Sequence, residues 1–83
     1  MLLDQLPNGQ RAEIAAIDWS ILPPDEGKRL RALGVDEGAF VSIRQRGIFF
    51  GRDPIALDIG RMTVAIRRVH ARAITLRAPE PIA

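Results

Sequence analysis

The 83-residue chain contains no cysteine, which removes disulfides, thiolate metal sites and iron–sulfur ligation together. A single histidine, His70, cannot build an imidazole cluster. It also lies in a different segment from Ser20, Ser42, Thr63 and Thr75, so no oriented base is at hand to activate a nucleophile. Tyrosine is absent and Trp19 is the only tryptophan, which leaves little on which successive bases of a single-stranded nucleic acid could stack. No apolar run approaches the ~20 residues of a bilayer span. The opening MLLDQLPNGQ holds Asp4 inside its apolar patch, with neither a basic lead nor a small-residue cleavage site, and the expectation is a soluble, cytoplasmic protein.

What is present is an ordinary globular balance, 47% apolar and 27% charged, which gives the chain enough hydrophobic content to fold. At this length only one core is feasible. A chain so short buries roughly 60–65% of the surface its unfolded form exposes, leaving little room for a deep catalytic cavity. That favours a binding module over an enzyme. The expected division is one domain over residues 1–78 and a flexible tail at residues 79–83, where Pro79 and Pro81 prevent the last strand from continuing. Net charge is +2 but unevenly spread: residues 1–37 hold seven acids and four bases, residues 38–83 eight arginines and three acids. Lys28 is the only lysine. The arginines fit either solvated strand faces or a basic docking surface, and guanidinium groups favour contacts of defined geometry.

Along the chain, Leu2, Leu3 and Leu6 precede the turn sequence Pro7-Asn8-Gly9. Between Arg11 and Ser20 the pattern is mixed: Ala12, Ile14 and Ala16 alternate with Glu13, Ala15 and Ile17. This suits a strand covered on one face and partly on the other, although periodicity alone also admits a helix. Pro23-Pro24 breaks that element and opens a helix over about residues 24–33. Asp25 and Glu26 stand at its positive dipole end, Gly34 fits a left-handed position after its last turn, and Val35 is available for the apolar contact that accompanies such caps. Ala39 to Arg46 reads as a strand with Val41 and Ile43 inward and Ser42, Arg44 and Arg46 outward. Gly47 interrupts it, and Ile48-Phe49-Phe50 extends again before a turn at Gly51-Arg52-Asp53-Pro54.

The clearest element is a hairpin. A two-residue loop at Gly60-Arg61, with glycine first as a type II′ turn prefers, pairs Ile59 with Met62, Leu57 with Val64 and Ile55 with Ile66, all six facing the core. The opposite face, Ala56, Asp58, Thr63, Ala65 and Arg67, is small or polar. A helical turn after Arg68 and a last strand at Ile74 to Arg77 complete the reading. Several short strands and one brief helix make an all-β, mainly β fold: a small barrel whose closure removes exposed edges.

His70 is flanked by Arg68 and Arg72, and the carboxylates nearest in sequence are Asp58 and Glu80, a poor setting for Fe(II), which recruits imidazole and carboxylate together. Asp25-Glu26 and Asp36-Glu37 fall at helix and turn boundaries where acids are locally favoured, so they read as capping and turn residues. Gly47 and Gly51 lack the lysine and following helix of a phosphate loop. No catalytic, cofactor-binding or metal-binding residue is expected, and no cofactor. The best binding candidate is Ile48-Phe49-Phe50 bounded by Arg46 and Arg52, because a strand cannot bury all three large apolar groups on one face and aromatics beside arginines are enriched at protein interfaces.

An ordered set of residues also carries a resemblance. Leu3-x-x-Leu6 with Gly9, Ala12 and Ile14 comes first, then Arg29-Leu30 with Leu33-Gly34 and Gly38. Asp53-Pro54-Ile55 follows, and then Val64-Ala65-Ile66-Arg67 with Ala71 and Ile74. Together these resemble a FeoA domain over Leu3 to Leu76. The resemblance implies an SH3-like barrel and a non-enzymatic cytoplasmic helper of the FeoB ferrous-iron transporter, docking on that transporter's cytoplasmic GTP-binding domain. It implies a peripheral position at the inner membrane through that partner, and transition-metal binding only as a property of the family at large. Weak self-association is a further expectation. Two departures stand out: Arg52 separates Gly51 from Asp53, and Val69-His70 occupies a stretch that is often acidic in relatives. The rival readings are an SH3-like or Sm-like nucleic-acid-binding module, motivated by the basic C-terminal half, and the detached C-terminal barrel of a metal-responsive repressor.

Overall fold

The structure, a computed structural model, describes residues 1–50 and 53–78, and for Ile48, Phe49 and Phe50 the backbone alone. Five strands follow the turn signals: β1 (Arg11–Ile17), β2 (Phe40–Phe50), β3 (Asp53–Ile59), β4 (Met62–Ile66) and β5 (Ile74–Leu76). Helix α1 (Pro24–Ala32) lies between β1 and β2, the single turn α2 (Arg68–Ala71) between β4 and β5, and short 3₁₀ turns form at Leu3–Gln5 and Trp19–Ile21. The sheet order is β4-β3-β2-β1-β5, antiparallel throughout. The expected tail, residues 79–83, lies outside the described residues.

The β3–β4 hairpin has the expected register, Ile55 opposite Ile66, Leu57 opposite Val64 and Ile59 opposite Met62. Gly60 has φ +56° and no non-glycine residue has positive φ among the described residues, as a glycine-first turn requires. Five of the six aliphatic groups are buried, but Met62 is 44% exposed. It sits at the turn end of the edge strand, where no further strand covers it. Ala56, placed by alternation on the outer face, is nonetheless buried, flanked by Gln45 on one side and Ala65 on the other.

Two bulges account for what simple alternation misses. In β1, Ile14 pairs with Leu76 and Ala16 with Thr75, so Ala15 is an extra residue. The inward set therefore switches from Ala12 and Ile14 to Ile17, which is the origin of the mixed pattern in the sequence. In β2, Ile43 pairs with Leu57 and Gln45 with Ala56, making Arg44 the extra residue. Beyond it the alternation is inverted, and Arg46 stands opposite the core residue Ile55 rather than on the outer face. The sequence expectation that Arg46 points outward fails for this reason. Gly47, expected to interrupt the strand, continues it with φ +69° at a second irregularity.

Helix α1 ends as its sequence predicts. Gly34 takes φ +92°, its N–H donates to Arg31 O, and Val35 N–H donates to Leu30 O at 2.9 Å, the paired bonds of a Schellman cap. Leu30 and Val35 are both fully buried, joining the cap to the core. Near the start of the chain the 3₁₀ turn at Leu3–Gln5 drives Leu3 and Leu6, each 0% exposed, into the same core. The sheet does not close strand on strand: β4 and β5 are its two ends. Instead the N-terminus covers β5, with Leu2 bridged to Thr75 and Leu76 N–H donating to Met1 O at 2.6 Å. Arg29 of α1 donates to Ala65 O on β4 at 3.0 Å.

Candidate partner-binding surface

Of the residues the sequence singles out, the structure places Arg46 against the N-terminal segment. Its guanidinium donates to Asp4 O at 2.9 Å, to Leu6 O and to Asn8 Oδ1. This follows from the bulge at Arg44, which turns Arg46 under the sheet onto the chain that carries Leu3 and Leu6. One long side chain thus ties β2 to carbonyls 40 and 42 residues away. The side chains of Ile48, Phe49 and Phe50, and all of Arg52, lie outside the described residues. The backbone of Phe50 pairs with that of Asp53 in the last pair of the β2–β3 ladder.

His70 has a carboxylate partner that sequence proximity did not reveal. Its Nδ1 lies 3.1 Å from Glu26 Oε2, a contact across 44 residues that links α2 to α1. Glu26 also accepts from Arg29 Nε at 2.6 Å and Nη2 at 3.1 Å. The Arg29 hydrogen bonds hold the Glu26 carboxyl below its ordinary range, against the opposing effect of burial and with further help from His70, while Glu26 raises Arg29. Glu26, Arg29 and His70 thus join α1, α2 and the edge of β4 in one hydrogen-bonded network. Among the described residues no three His, Cys, Asp or Glu side chains converge as a metal-ligating group. Asp53 has a local structural role, accepting the Arg68 N–H at the start of α2 at 2.8 Å.

Two of the surface depressions lie apart from Arg46. One, about 430 Å³, is lined by Trp19, Pro23, Pro24, Gly27, Lys28 and Arg31. The indole there packs close to both neighbours: a Cβ at Gly27 would meet it at 3.5 Å, and the Arg31 guanidinium sits over the ring, 4.2 Å from its centroid. The other is a cleft of about 390 Å³ on the outer face of the sheet beside the hairpin turn, bounded by Phe40, Arg44, Asp58, Arg61 and Met62. Arg11 lies over the Phe40 ring at 4.1 Å. Arg44 Nε reaches both Asp58 oxygens at 2.9 and 3.1 Å, and Thr63 Oγ1 donates to Oδ1 at 2.7 Å. The Thr63 hydroxyl and then Arg44 hold the Asp58 carboxyl below its usual range. Sequence reasoning missed this cleft because Phe40, which fits the polar side of its strand poorly, was the only local signal. No helix among the described residues is long and apolar enough to cross a membrane.

Comparison with known proteins agrees with this architecture. The FeoA domain family matches residues 1–78. The solution structure of the FeoA protein from Chlorobium tepidum superimposes with a TM-score of 0.78 at 30% identity, covering 92% of this chain and 68% of that one. Iron(II) transport protein A from Clostridium thermocellum gives 0.76 at 25% identity, over 92% of this chain and 44% of that one. FeoA of Stenotrophomonas maltophilia, crystallised with zinc, gives 0.74 at 26% identity, over 94% and 91%; it is described as a prokaryotic SH3 domain protein and a candidate ferrous iron transport activating factor. A search of the curated proteins finds no match. The five-stranded antiparallel sheet with helix α1 is therefore an SH3-like fold, and the chain belongs to the FeoA domain family, which is linked to ferrous iron transport.

Proposed function

We propose that the chain is a non-enzymatic accessory subunit of ferrous iron uptake that docks on the cytoplasmic GTP-binding domain of a FeoB-type transporter. The FeoA domain over residues 1–78 carries this reading, and the activating role suggested for the Stenotrophomonas maltophilia relative supports it. The chemistry of the surface is compatible. The single imidazole is committed to Glu26, and Glu26 to Arg29, so the one histidine serves to join helices. The protein works in the cytoplasm, peripheral at the inner membrane through its partner. The segment from Ile48 to Arg52 is one proposed contact, with Ile48, Phe49 and Phe50 supplying apolar area and Arg52 charge. Arg46 belongs to the same proposal as the anchor that fixes the base of that segment. Phe49→Ala should weaken binding of the transporter's cytoplasmic domain about tenfold or more while leaving the thermal midpoint nearly unchanged. Titration calorimetry and a melting curve on the same preparation check both, and a large loss of stability with unchanged affinity would place Phe49 in the core.

A further inference from the structure

We infer that the outer-face cleft beside the hairpin turn is a second docking surface, which takes an acidic peptide segment carrying one apolar anchor side chain. The inference deepens the docking reading above and rests on it for the identity of the partner.

Charge is the first argument. Arg11, Arg44 and Arg61 border the cleft, against one carboxylate, Asp58. Asp58 is already held by both Arg44 and the Thr63 hydroxyl. Glu13, in the neighbouring cross-strand row opposite Phe40, is paired with Arg77 at 3.2 Å. Arg61, exposed on the turn, has no ion-pair partner among the described residues. The cleft therefore presents positive potential, and its complement is acidic.

Apolar exposure is the second argument. Phe40 and Met62 are 37% and 44% exposed, two of only five large hydrophobic side chains so exposed among the described residues, and both line this one cleft. Aromatic, methionine and arginine side chains are what the centres of protein interfaces enrich, while lysine is depleted; no lysine lines this site. The Arg11 guanidinium over the Phe40 ring fixes the orientation of both groups before a partner arrives, which lowers the ordering cost of binding. Met62 can adapt to the shape of an inserted leucine or phenylalanine. A nucleic acid fits less well, because the lone aromatic ring already has one face covered and Asp58 would stand against a phosphate.

The test is an NMR titration of the isotopically labelled full chain with the transporter's cytoplasmic GTP-binding domain. A synthetic peptide of alternating Glu and Gly with one central Phe and a single-stranded oligonucleotide of equal charge are titrated in parallel. Expected are amide shifts at residues 40–44 and 58–63 with both protein and peptide, weakening at raised ionic strength. Arg61→Glu should weaken binding of each at least about tenfold. Phe40→Ala should do the same, and since Arg61 is exposed, Arg61→Glu keeps the test valid if Phe40→Ala loses stability. Domain binding that shifts only residues outside this face, with Arg61→Glu neutral, overturns the inference and leaves the proposed function standing. If the domain fails to bind the wild-type chain, the proposed function falls; peptide binding at the cleft then upholds the surface, and absence of peptide binding overturns it. Tighter binding of the oligonucleotide than of the peptide also overturns it.

Discussion

The inner side of β3 and β4 carries Ile55, Leu57, Ile59, Val64 and Ile66, none more than 7% exposed, whereas the outer side carries Asp58 and Thr63, joined to each other and to Arg44 by hydrogen bonds open to solvent. One alternating stretch of chain makes both. The inner groups act collectively through burial, so the loss of any one leaves a void that its neighbours cannot fill. The outer groups act pairwise in high dielectric, where each contact adds little to stability and the pattern of charge and exposed apolar surface stays free to serve recognition. The buried core and the proposed binding surface are thus separated by the thickness of one sheet.

Mutations can break that separation or sharpen it. Leu57→Ala, at a position 0% exposed, should have the largest effect, costing about 2–5 kcal/mol and lowering the thermal midpoint by roughly 10 °C or more, read by differential scanning calorimetry. A smaller cost would mean that the inner wall repacks. Arg46→Ala should come next, at about 1–3 kcal/mol, because it leaves the Asp4 and Leu6 carbonyls without their charged donor; urea denaturation measures it. The smallest effect is acid sensitivity. Glu26 and Asp58 both have folded-state pKa values depressed below their ordinary ones. Each therefore contributes stability that is present above its unfolded-state value and lost as pH falls through the folded-state value, from about pH 5 downward. Denaturation midpoints measured against pH should fall over that window, and Glu26→Gln should flatten part of the slope. After allowance for solvent screening, the Glu26 share is no more than about 1 kcal/mol.

The legible part of the fold is the part written in local rules. A glycine at the first turn position fixed the pairing of Leu57 with Val64, and Gly34 with Val35 announced the end of α1, because both depend on residues a few positions apart. Bulges are not written that way. Nothing in the run from Val41 to Arg46 marks Arg44 as an extra residue, yet that one insertion carries Arg46 from the expected outer face to the N-terminal segment. The Glu26–His70 pair spans 44 residues and is made only by the tertiary fold, so a search for carboxylates near His70 in sequence looks in the wrong place. The outer cleft is hidden for a related reason: Phe40, Asp58 and Met62 belong to three strands whose side-by-side order only the folded sheet supplies.

The most direct test of the proposed docking is the affinity of the unmodified chain for the transporter's cytoplasmic GTP-binding domain, measured by isothermal titration calorimetry at two ionic strengths. Saturable one-to-one binding that weakens as salt rises is the predicted result. The absence of binding at either ionic strength, or an affinity indifferent to salt, would contradict the account.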